Sequence, residues 1–314
     1  MSNRFSRCWV VTDGKSGMEG QCLGLAEALG LEAQIFRVAL REPWRSLAPH
    51  LRLGLGNAFQ QNPFAPPWPD LLIATGRQSV PASLYIRKMS PCTRCVQIQN
   101  PAIHPKNFGL VIAPIHDDLW GTNVIQTIGA LHRATPERLV VEATALAPRI
   151  DHLPRPRIGV LVGGASGAYR FGPGDARLLT KALREQASRL HGSLLVTPSR
   201  RTGDDNIAIL RDGISDMPGF FWDGTGDNPY FGILSSADVL LVTADSVNMI
   251  TEACASGHPV YIYDLAGGTK KSRRFHEALY LRGYARPYTG SLEPLPTNRL
   301  YEMNRVALAV QAMP

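Results

Sequence analysis

The sequence predicts an α/β fold of two doubly wound, parallel-sheet domains, and three observations predict it. Short runs of β-branched and apolar residues alternate with longer segments of helical period. This alternation stops near residue 150, at a segment with several prolines, and then starts again. The chain has 314 residues, which is the length of about two domains. We therefore expect residues 1–150 and 151–314 to form one domain each.

In the first half, each predicted strand is a short apolar run that a turn separates from the next element. The strands are expected at Cys8–Thr12, Ala33–Val38, Leu71–Ala74, Arg94–Ile98 and Gly109–Ala113. Helices are predicted over Met18–Leu29, which Gly30 ends, and over Gly76–Met89. The stretch Leu47–Pro69, rich in proline and tryptophan, is predicted to be irregular, and the prolines of Ala147–Pro156 indicate an interdomain linker.

The second half repeats this pattern more clearly. The strands are expected at Arg157–Val162, Ser193–Thr197, Phe220–Trp222, Val239–Val242 and Val260–Tyr263. The helices are expected at Asp175–Leu190, Pro229–Ser235, Ser246–Ala255 and Thr297–Ala312, and the last of them could cross back to the first domain. Ligands of open α/β sheets bind at the carboxyl ends of the strands. Two such domains that face each other would form a cleft between them.

Composition and charge exclude several classes of protein. The chain is 44% hydrophobic and 19% charged, which is typical of neither a disordered chain nor a coiled coil. No apolar run reaches the about 18–20 residues of a membrane-spanning helix. The apolar stretch near the amino terminus is short and Asp13 follows it, so we expect no signal peptide there. Five scattered cysteines argue against a disulfide framework. We therefore expect a cytoplasmic protein.

The positive charge is spread along the whole chain. The net charge is +7, with 15 Lys/Arg and 11 Asp/Glu in residues 1–153 and 18 and 15 in residues 154–314. This balance suits anionic substrates, or peripheral association with an anionic surface at the inner face of the cytoplasmic membrane, and does not choose between them. Because the charge is diffuse and no nucleic-acid-binding motif is present, we expect no nucleic-acid partner.

Three segments that follow strands of the second half carry candidate ligand groups. Gly163-Gly164-Ala165-Ser166-Gly167 is either a phosphate cradle, with backbone amides free to bind oxygens, or an ordinary tight turn. In Thr197–Thr202, the paired Arg200 and Arg201 either bind an anion or are solvated. In Thr243–Ala253, Asp245 or Ser246 can cap the following helix. Glu252 in that helix is either solvated or binds the paired hydroxyls of a ribose.

The first half carries two further candidate segments. Gly14-Lys15-Ser16 looks like part of an ATP-binding P-loop, but that motif needs a glycine where this chain has Trp9. The loop instead suits an anionic or sugar acceptor. His116 and Asp117 could supply a general base, although a lone histidine is more often structural. No metal-ligand cluster is evident, since the pair Cys92 and Cys95 lacks a second pair.

Four segments together carry a resemblance to a known family: VVTDGKSGMEGQCLGLAEALG, APIHDDLWGTNVIQTIGALH, TPSRRTG and NPYFGILSSADVLLVTADSVNMITEACASGHPVYIYDL. They resemble the bacterial relatives of the plant elongated-mitochondria (mitochondrial fission) protein family. That family is in turn similar to GT-B glycosyltransferases, which have two Rossmann-like domains. The nearest motif analogy is the transferase that adds N-acetylglucosamine to a lipid-linked peptidoglycan precursor. That enzyme has a similar glycine-rich loop and a similar acidic residue before a small-residue helix end.

The resemblance implies a transferase with a donor site in the second domain and an acceptor site in the first. The donor, a nucleotide sugar of the UDP or GDP type, would be held by Gly163, Gly164, Ser166, Gly167, Arg200, Arg201, Asp245, Ser246, Met249 and Glu252. A lipid-linked or glycan acceptor of the cell envelope would bind Gly14, Lys15, Ser16 and Gly17. The base would be Asp13, His116 or Asp117. The resemblance implies no cofactor and no metal, because basic side chains and helix dipoles neutralise the leaving group.

Two other functions stay open. Plant members of the family are implicated in recruiting a fission dynamin to a membrane, so the chain could be a non-catalytic adaptor. A sugar-nucleotide epimerase shares the two-domain architecture. The basic cluster Lys270-Lys271-Ser272-Arg273-Arg274 either contacts the diphosphate or an anionic lipid, or is a solvated helix start.

Overall fold

The computed structural model describes residues 4–293 and 295–314, which divide into two compact units. The first unit extends to Arg133 and includes Tyr301–Pro314, and the second unit is Ala134–Leu300. Each unit contains a six-stranded parallel sheet with helices packed on it. The predicted α/β fold class is therefore confirmed.

The sheet of the first unit has the strand order β2-β1-β3-β4-β5-β6. Its strands are β1 (Cys8–Thr12), β2 (Ala33–Arg37), β3 (Leu71–Thr75), β4 (Arg94–Ile98), β5 (Leu110–Pro114) and β6 (Val124–Thr127). Its first three helices are α1 (Ser16–Ala28), α2 (Trp44–Leu47) and α3 (Val80–Met89). The short strand β6 was not predicted from the sequence.

Both faces of this sheet are buried, which explains the nearly continuous apolar strands. In β1, Cys8 and Val10 belong to a core that helix α1 covers, whereas Trp9 and Val11 belong to a second core on the other face. Side chains alternate between the faces of a strand, so a strand covered on both sides is apolar at every position. Such a strand therefore lacks the alternation of polar and apolar residues that is seen when one face is exposed to solvent.

The sheet of the second unit has the strand order β12-β11-β10-β7-β8-β9. Its strands are β7 (Arg157–Val162), β8 (Ser193–Pro198), β9 (Gly219–Phe221), β10 (Val239–Thr243), β11 (Val260–Tyr263) and β12 (Arg286–Pro287). Its helices are α4 (Pro136–Ile150), α5 (Pro173–Leu190), α6 (Asp204–Gly213), α7 (Tyr230–Ser236), α8 (Val247–Ser256) and α9 (Lys270–Leu281). Helices α4, α6 and α9 and strand β12 were not predicted as such.

The division between the units differs from the expected boundary at residue 150. Helix α4 covers the first part of the segment expected to be a linker, and Pro148 lies within its last turn. The hydroxyl of Thr135 caps this helix by accepting a hydrogen bond from the Arg138 N–H at 3.2 Å. Because α4 packs against α7, it belongs to the second unit, and the division falls after Arg133.

The carboxyl-terminal segment returns to the first unit, as the sequence allowed. Helix α10 (Met303–Gln311) is shorter than the predicted Thr297–Ala312 and packs against α1. Its buried residues Met303, Val306 and Val310 join the same core as β1. None of the helices in the described part of the chain is long and apolar enough to span a bilayer.

Candidate functional site

The loops that follow β7, β8, β10 and β11 meet at one edge of the second sheet. The chain proceeds from β7 to β8 and β9 on one side, and then returns to place β10 on the other side of β7. Such a reversal of strand order is the position where open α/β sheets bind ligands, outside the carboxyl ends of the strands. The candidate site of this unit lies there.

The carboxylate of Asp245, directly after β10, lies at the centre of this site. Its side chain has no exposed surface, and it accepts hydrogen bonds from the Thr243 hydroxyl at 2.7 Å and the Gly164 N–H at 3.1 Å. The guanidinium of Arg201, from the loop after β8, forms an ion pair with it at 2.7 Å. One carboxylate thus joins the loops after β7, β8 and β10.

The glycines after β7 permit this close approach. A Cβ atom on Gly163 would lie 2.2 Å from a carboxylate oxygen of Asp245. A Cβ on Gly164 would lie 2.0 Å from the carbonyl oxygen of Arg201, and the φ of Gly164 is +151°. Both positions therefore require glycine. Gly167, with no atom within 4 Å of a Cβ, is not constrained by packing.

The backbone amides of this loop are already paired, in contrast to the prediction of free amides. The N–H of Gly163 donates to the Thr243 hydroxyl at 2.7 Å, and that of Gly164 donates to Asp245. The N–H groups of Ala165 and Ser166 donate to the carbonyls of Arg201 and Tyr169. These four amides hold the loop together and tie it to its neighbours.

The loop after β8 is tied to the loop after β7 by two hydroxyls. Ser199 and Thr202 both donate to the carbonyl oxygen of Gly163, at 2.8 and 2.5 Å. The Arg201 side chain keeps 40% of its surface exposed, and Arg200 beside it is exposed. The site therefore presents two arginines at its surface, and one of them is anchored to a buried carboxylate.

The start of helix α9 borders the same site. Tyr169 pairs with Gly267 in an antiparallel bridge, and the Gly268 N–H donates to the Ala168 carbonyl at 2.7 Å. Burial raises the pKa of Tyr169, and a hydrogen bond with Ser272, in the first turn of α9, opposes that shift. The exposed Lys270 and Lys271 open this helix, so the predicted basic cluster lies beside the glycine loop.

Glu252 lies in the second turn of α8, where it is half-buried. It accepts a hydrogen bond from the Tyr230 hydroxyl of α7 at 2.7 Å. Burial raises the pKa of Glu252 to about 7, whereas the Tyr230 hydrogen bond and the charge of Arg138 lower it. The guanidinium of Arg138 stacks 4.3 Å above the ring centre of Phe231. This carboxyl group thus lies among residues of the three helices α4, α7 and α8.

Ser246 and Met249 have a structural role at the start of α8. The Ser246 hydroxyl caps the helix by accepting a hydrogen bond from the Met249 N–H at 3.4 Å. Asp245, the alternative cap in the sequence, instead holds the glycine loop. Ser166, which also belongs to the predicted set, accepts the Tyr169 N–H at 3.2 Å and closes the turn after β7.

The predicted acceptor loop of the first unit follows β1 at the reversal of strand order between β1 and β3. Gly14, Lys15 and Ser16 are exposed, and Gly17 is half-buried at the start of α1. The Lys15 ammonium forms an ion pair with Asp13 at 2.5 Å, and its side chain is 70% exposed. This loop is open to solvent, and its one charged pair lies within the loop itself.

The three predicted bases do not form one group. His116 and Asp117 follow β5, and their side chains are 3% and 2% exposed, with His116 Nε2 3.7 Å from Asp117 Oδ1. Asp117 also accepts the Asn100 N–H at 3.2 Å. Strands β3 and β4 lie between β1 and β5, which separates Asp13 from this pair by about 14 Å at the usual strand spacing.

Sequence reasoning missed several residues that organise the second site. Thr243, Ser199 and Thr202 lie in the predicted motifs without a predicted role, and Tyr169 and Tyr230 lie outside the predicted set of site residues. Hydroxyl residues directly after buried strands could have been recognised, since they satisfy loop backbone groups. Within the described residues, no group of three or more His, Cys, Asp or Glu side chains is arranged to hold a metal ion.

Comparison with known proteins agrees with this architecture. The solved UDP-GlcNAc 2-epimerase of Methanocaldococcus jannaschii, in complex with UDP-GlcNAc and UDP, has a TM-score of 0.55 and 11% identity, over 98% of this chain and 99% of that one. MurG of Acinetobacter baumannii has a TM-score of 0.51 and 13% identity, over 98% and 92%. At these identities, the likeness identifies the fold alone.

The two sheets and the loops at their carboxyl ends define a GT-B-like protein, with the fold of glycosyltransferases and nucleotide-sugar epimerases. A family model described as mitochondrial fission ELM1 matches residues 16–313. The Arabidopsis thaliana mitochondrial fission protein ELM1 is 27% identical over 92% of this chain and 86% of its own. The chain belongs to the mitochondrial fission ELM1 family.

Proposed function

We propose that the second unit binds a nucleotide sugar, and that the protein is a GT-B glycosyltransferase. The observation that carries the proposal is the Asp245 network, which holds three loops and Arg201 at the reversal of strand order. A preformed arrangement of strand-end loops is typical of nucleotide sites in such sheets. Similar folds whose structures contain UDP-GlcNAc support this choice of ligand.

The charge of the diphosphate would be neutralised mainly by side chains. Because the amides of residues 163–166 are paired within the unit, Arg200 and Arg201 are the groups that would bind the phosphate oxygens. Guanidinium groups bind such oxygens in a bidentate manner. The Asp245 ion pair keeps Arg201 in place before the ligand arrives, which suits the stabilisation of a leaving group. The nucleotide would be of the UDP or GDP type.

Glu252 would bind the ribose in its ionised form. A carboxylate can accept hydrogen bonds from both ribose hydroxyls, and Tyr230 already occupies one of its oxygens at 2.7 Å. In the first unit, the exposed loop Gly14–Gly17 would receive the acceptor, a lipid-linked precursor or a glycan. Asp13, His116 or Asp117 would deprotonate the attacking hydroxyl. The basic cluster at the start of α9 would favour association with an anionic membrane.

The first experiment is a calorimetric and thermal-shift screen of the intact protein with UDP, GDP, CMP, ADP and their sugars. A ligand at a concentration of about 100 times its Kd should stabilise the protein by about 2.7 kcal/mol. Glu252→Ala and Arg200→Ala should each remove most of that shift. Arg211→Ala is the matched control, because Arg211 is an exposed arginine of the same unit that pairs with Asp212. Absence of a shift with every nucleotide would refute the donor site.

A second candidate, a non-catalytic adaptor that acts in recruitment to a membrane, is favoured by the state of the predicted bases. His116 and Asp117 are nearly inaccessible, and Asp13 is paired with Lys15. Nucleotide binding without turnover on any acceptor would support this adaptor. Conversion of the bound sugar to its epimer without an acceptor would instead identify an epimerase.

A further inference from the structure

An exposed tryptophan and a small cavity lie together at the edge strand β6 of the first unit. Trp120 is 71% exposed, although a large aromatic side chain is usually buried for most of its surface. It borders a cavity of about 340 Å³, large enough for a small ligand. We call this cavity the Trp120 pocket, and its lining includes Leu119, Trp120, Gly121, Val124, Gln126 and Arg305.

A hydrogen bond orients the exposed indole. Its Nε1–H donates to the carboxylate of Asp118 at 3.0 Å. Asp118 itself has left-handed backbone angles, φ +51° and ψ +43°, which are uncommon for a residue other than glycine. Because the only polar group of the indole is already bonded, the surface that remains for a ligand is the apolar ring. Tryptophan is enriched at interfaces, where its apolar ring meets a partner.

The polar side chains of Gln126 and Arg305 also line the Trp120 pocket. Gln126 donates through Nε2 to the Leu119 carbonyl at 3.1 Å, so the amide is held in place and its Oε1 can accept. Arg305 donates through Nη2 to the Gln126 carbonyl at 2.8 Å and to Glu302 at 2.6 Å, and its side chain is 54% exposed. A guanidinium has five N–H groups, so Arg305 can still donate to a ligand.

We propose that the Trp120 pocket binds a saccharide, with a pyranose ring of equatorial hydroxyls stacked on the indole. Such a ring presents flat C–H faces to an aromatic surface, and its hydroxyls at the rim both donate and accept hydrogen bonds. The pocket offers the matching set: an apolar face, the Gln126 amide and the Arg305 guanidinium.

The charges near the pocket favour a neutral ligand over a nucleotide, which could also stack on the indole. Arg305 is the cation of the lining, and it pairs with Glu302, while Asp118 adds a second carboxylate at the indole. A phosphate group would therefore meet no net positive charge. This inference goes beyond the proposed function, since the pocket lies at edge strand β6, away from the acceptor loop after β1, and requires no bound nucleotide.

The test uses the full chain without nucleotide, with cellotriose and chitotriose as probes. Saturation-transfer NMR should detect binding with a Kd on the order of 1 mM, and the sugar C–H protons should receive the transfer. Trp120→Ala should weaken binding about tenfold or more, whereas Trp120→Phe should retain most of it. Arg305→Gln should weaken it a few-fold. Leu53→Ala removes a comparably exposed apolar side chain of the same unit, 79% exposed, and should change nothing.

Several outcomes would overturn the proposal. These are no binding of either trisaccharide to the wild-type chain, equal binding to Trp120→Ala, and a preference of the pocket for UMP over both sugars. Since Trp120 is exposed, its variants should keep the wild-type melting temperature, which separates loss of the site from loss of the fold. Nucleotide binding that survives in Trp120→Ala would leave the proposed donor site intact whatever the sugar result.

Discussion

The strand-end loops of the two units are held in different ways. In the second unit, the loops after β7, β8 and β10 share one fully buried carboxylate, Asp245, and the amides of residues 163–166 all have partners. In the first unit, the loop after β1 is exposed, and its ion pair joins Lys15 to its near neighbour Asp13. The loops of the second unit are thus joined to one another through Asp245, whereas the loop after β1 is held only by a pair within itself.

Of the substitutions that test this difference between the units, replacement of Asp245 by alanine should lower the free energy of unfolding the most. It leaves the Gly164 N–H and the Thr243 hydroxyl without their acceptor. Unsatisfied buried donors of this kind should lower the free energy of unfolding by about 3 kcal/mol in total. The ion pair itself adds little, because Arg201 is 40% exposed. Urea unfolding measures the loss, and calorimetry should show that nucleotide binding is also lost.

The control for this variant is Asp212→Ala. Asp212 is a carboxylate of the same unit that pairs with Arg211, but its side chain is 69% exposed. Its replacement should change the free energy of unfolding by less than about 0.5 kcal/mol. If both variants lose the same stability, the Asp245 network does not hold the loops as described.

A pair of glycine variants tests the rigidity of the same loop. Gly164→Ala places a Cβ against the backbone carbonyl of Arg201 at a positive φ, and should lower the free energy of unfolding by about 2 kcal/mol. Gly167→Ala, three residues later, meets no atom within 4 Å and should change it by less than about 0.5 kcal/mol. Urea unfolding of both variants measures these changes. Equal losses in the free energy of unfolding would contradict a tightly packed loop.

The sequence predicted the fold well where local and tertiary preferences agree. The buried strands β1, β3, β7 and β10 are short apolar runs, and the glycine loop follows β7 directly. Helix α4 differs from the prediction because the prolines of Ala147–Pro156 are typical of a linker, whereas Pro148 lies in the last turn of α4 and leaves most of the helix intact. Packing of α4 on α7 decides which unit it joins, and that contact has no local signal.

The candidate site was predicted in its location but not in its bonding. The order of residues indicates that Gly163, Arg201 and Asp245 each follow a strand, and parallel strands bring such loops to one edge. The sequence does not indicate that Asp245 would occupy the Gly164 amide, because that bond joins residues 81 positions apart. Similarly, Glu252 was predicted as a ligand group, while its partner Tyr230 lies on a different helix.

The ionisation of Glu252 offers a third test, because it should change two quantities in opposite directions. As the pH falls, the stability of the free protein should rise and its affinity for a nucleotide should fall. Burial raises its pKa from the ordinary 4.5 to about 7. For the protein without ligand, this group therefore contributes stability that is present below pH 4.5 and lost as the pH rises through 7. If Glu252 binds the ribose as a carboxylate, as proposed, nucleotide affinity should fall as the pH drops below 7. Urea unfolding and UDP calorimetry at pH 5 and pH 8 measure the two effects.

Two variants separate Glu252 from other titrating groups. Glu252→Gln removes the carboxyl group and should reduce both pH effects. Tyr230→Phe removes a hydrogen bond that lowers the pKa of Glu252, so the loss of UDP affinity should begin at a higher pH. If the wild type and Glu252→Gln have the same pH profile in both measurements, another group controls the site.

The smallest effect is expected for Lys15→Ala in the first unit. The Lys15 side chain is 70% exposed, and ion pairs at such positions contribute between about 0 and 1 kcal/mol. Its removal should change the free energy of unfolding by less than about 0.5 kcal/mol and leave UDP binding in the second unit unchanged. If this loop receives the acceptor, transfer should nevertheless slow. A loss of about 2 kcal/mol in urea unfolding would contradict the contrast, because the loop after β1 would then be as firmly held as the loop around Asp245.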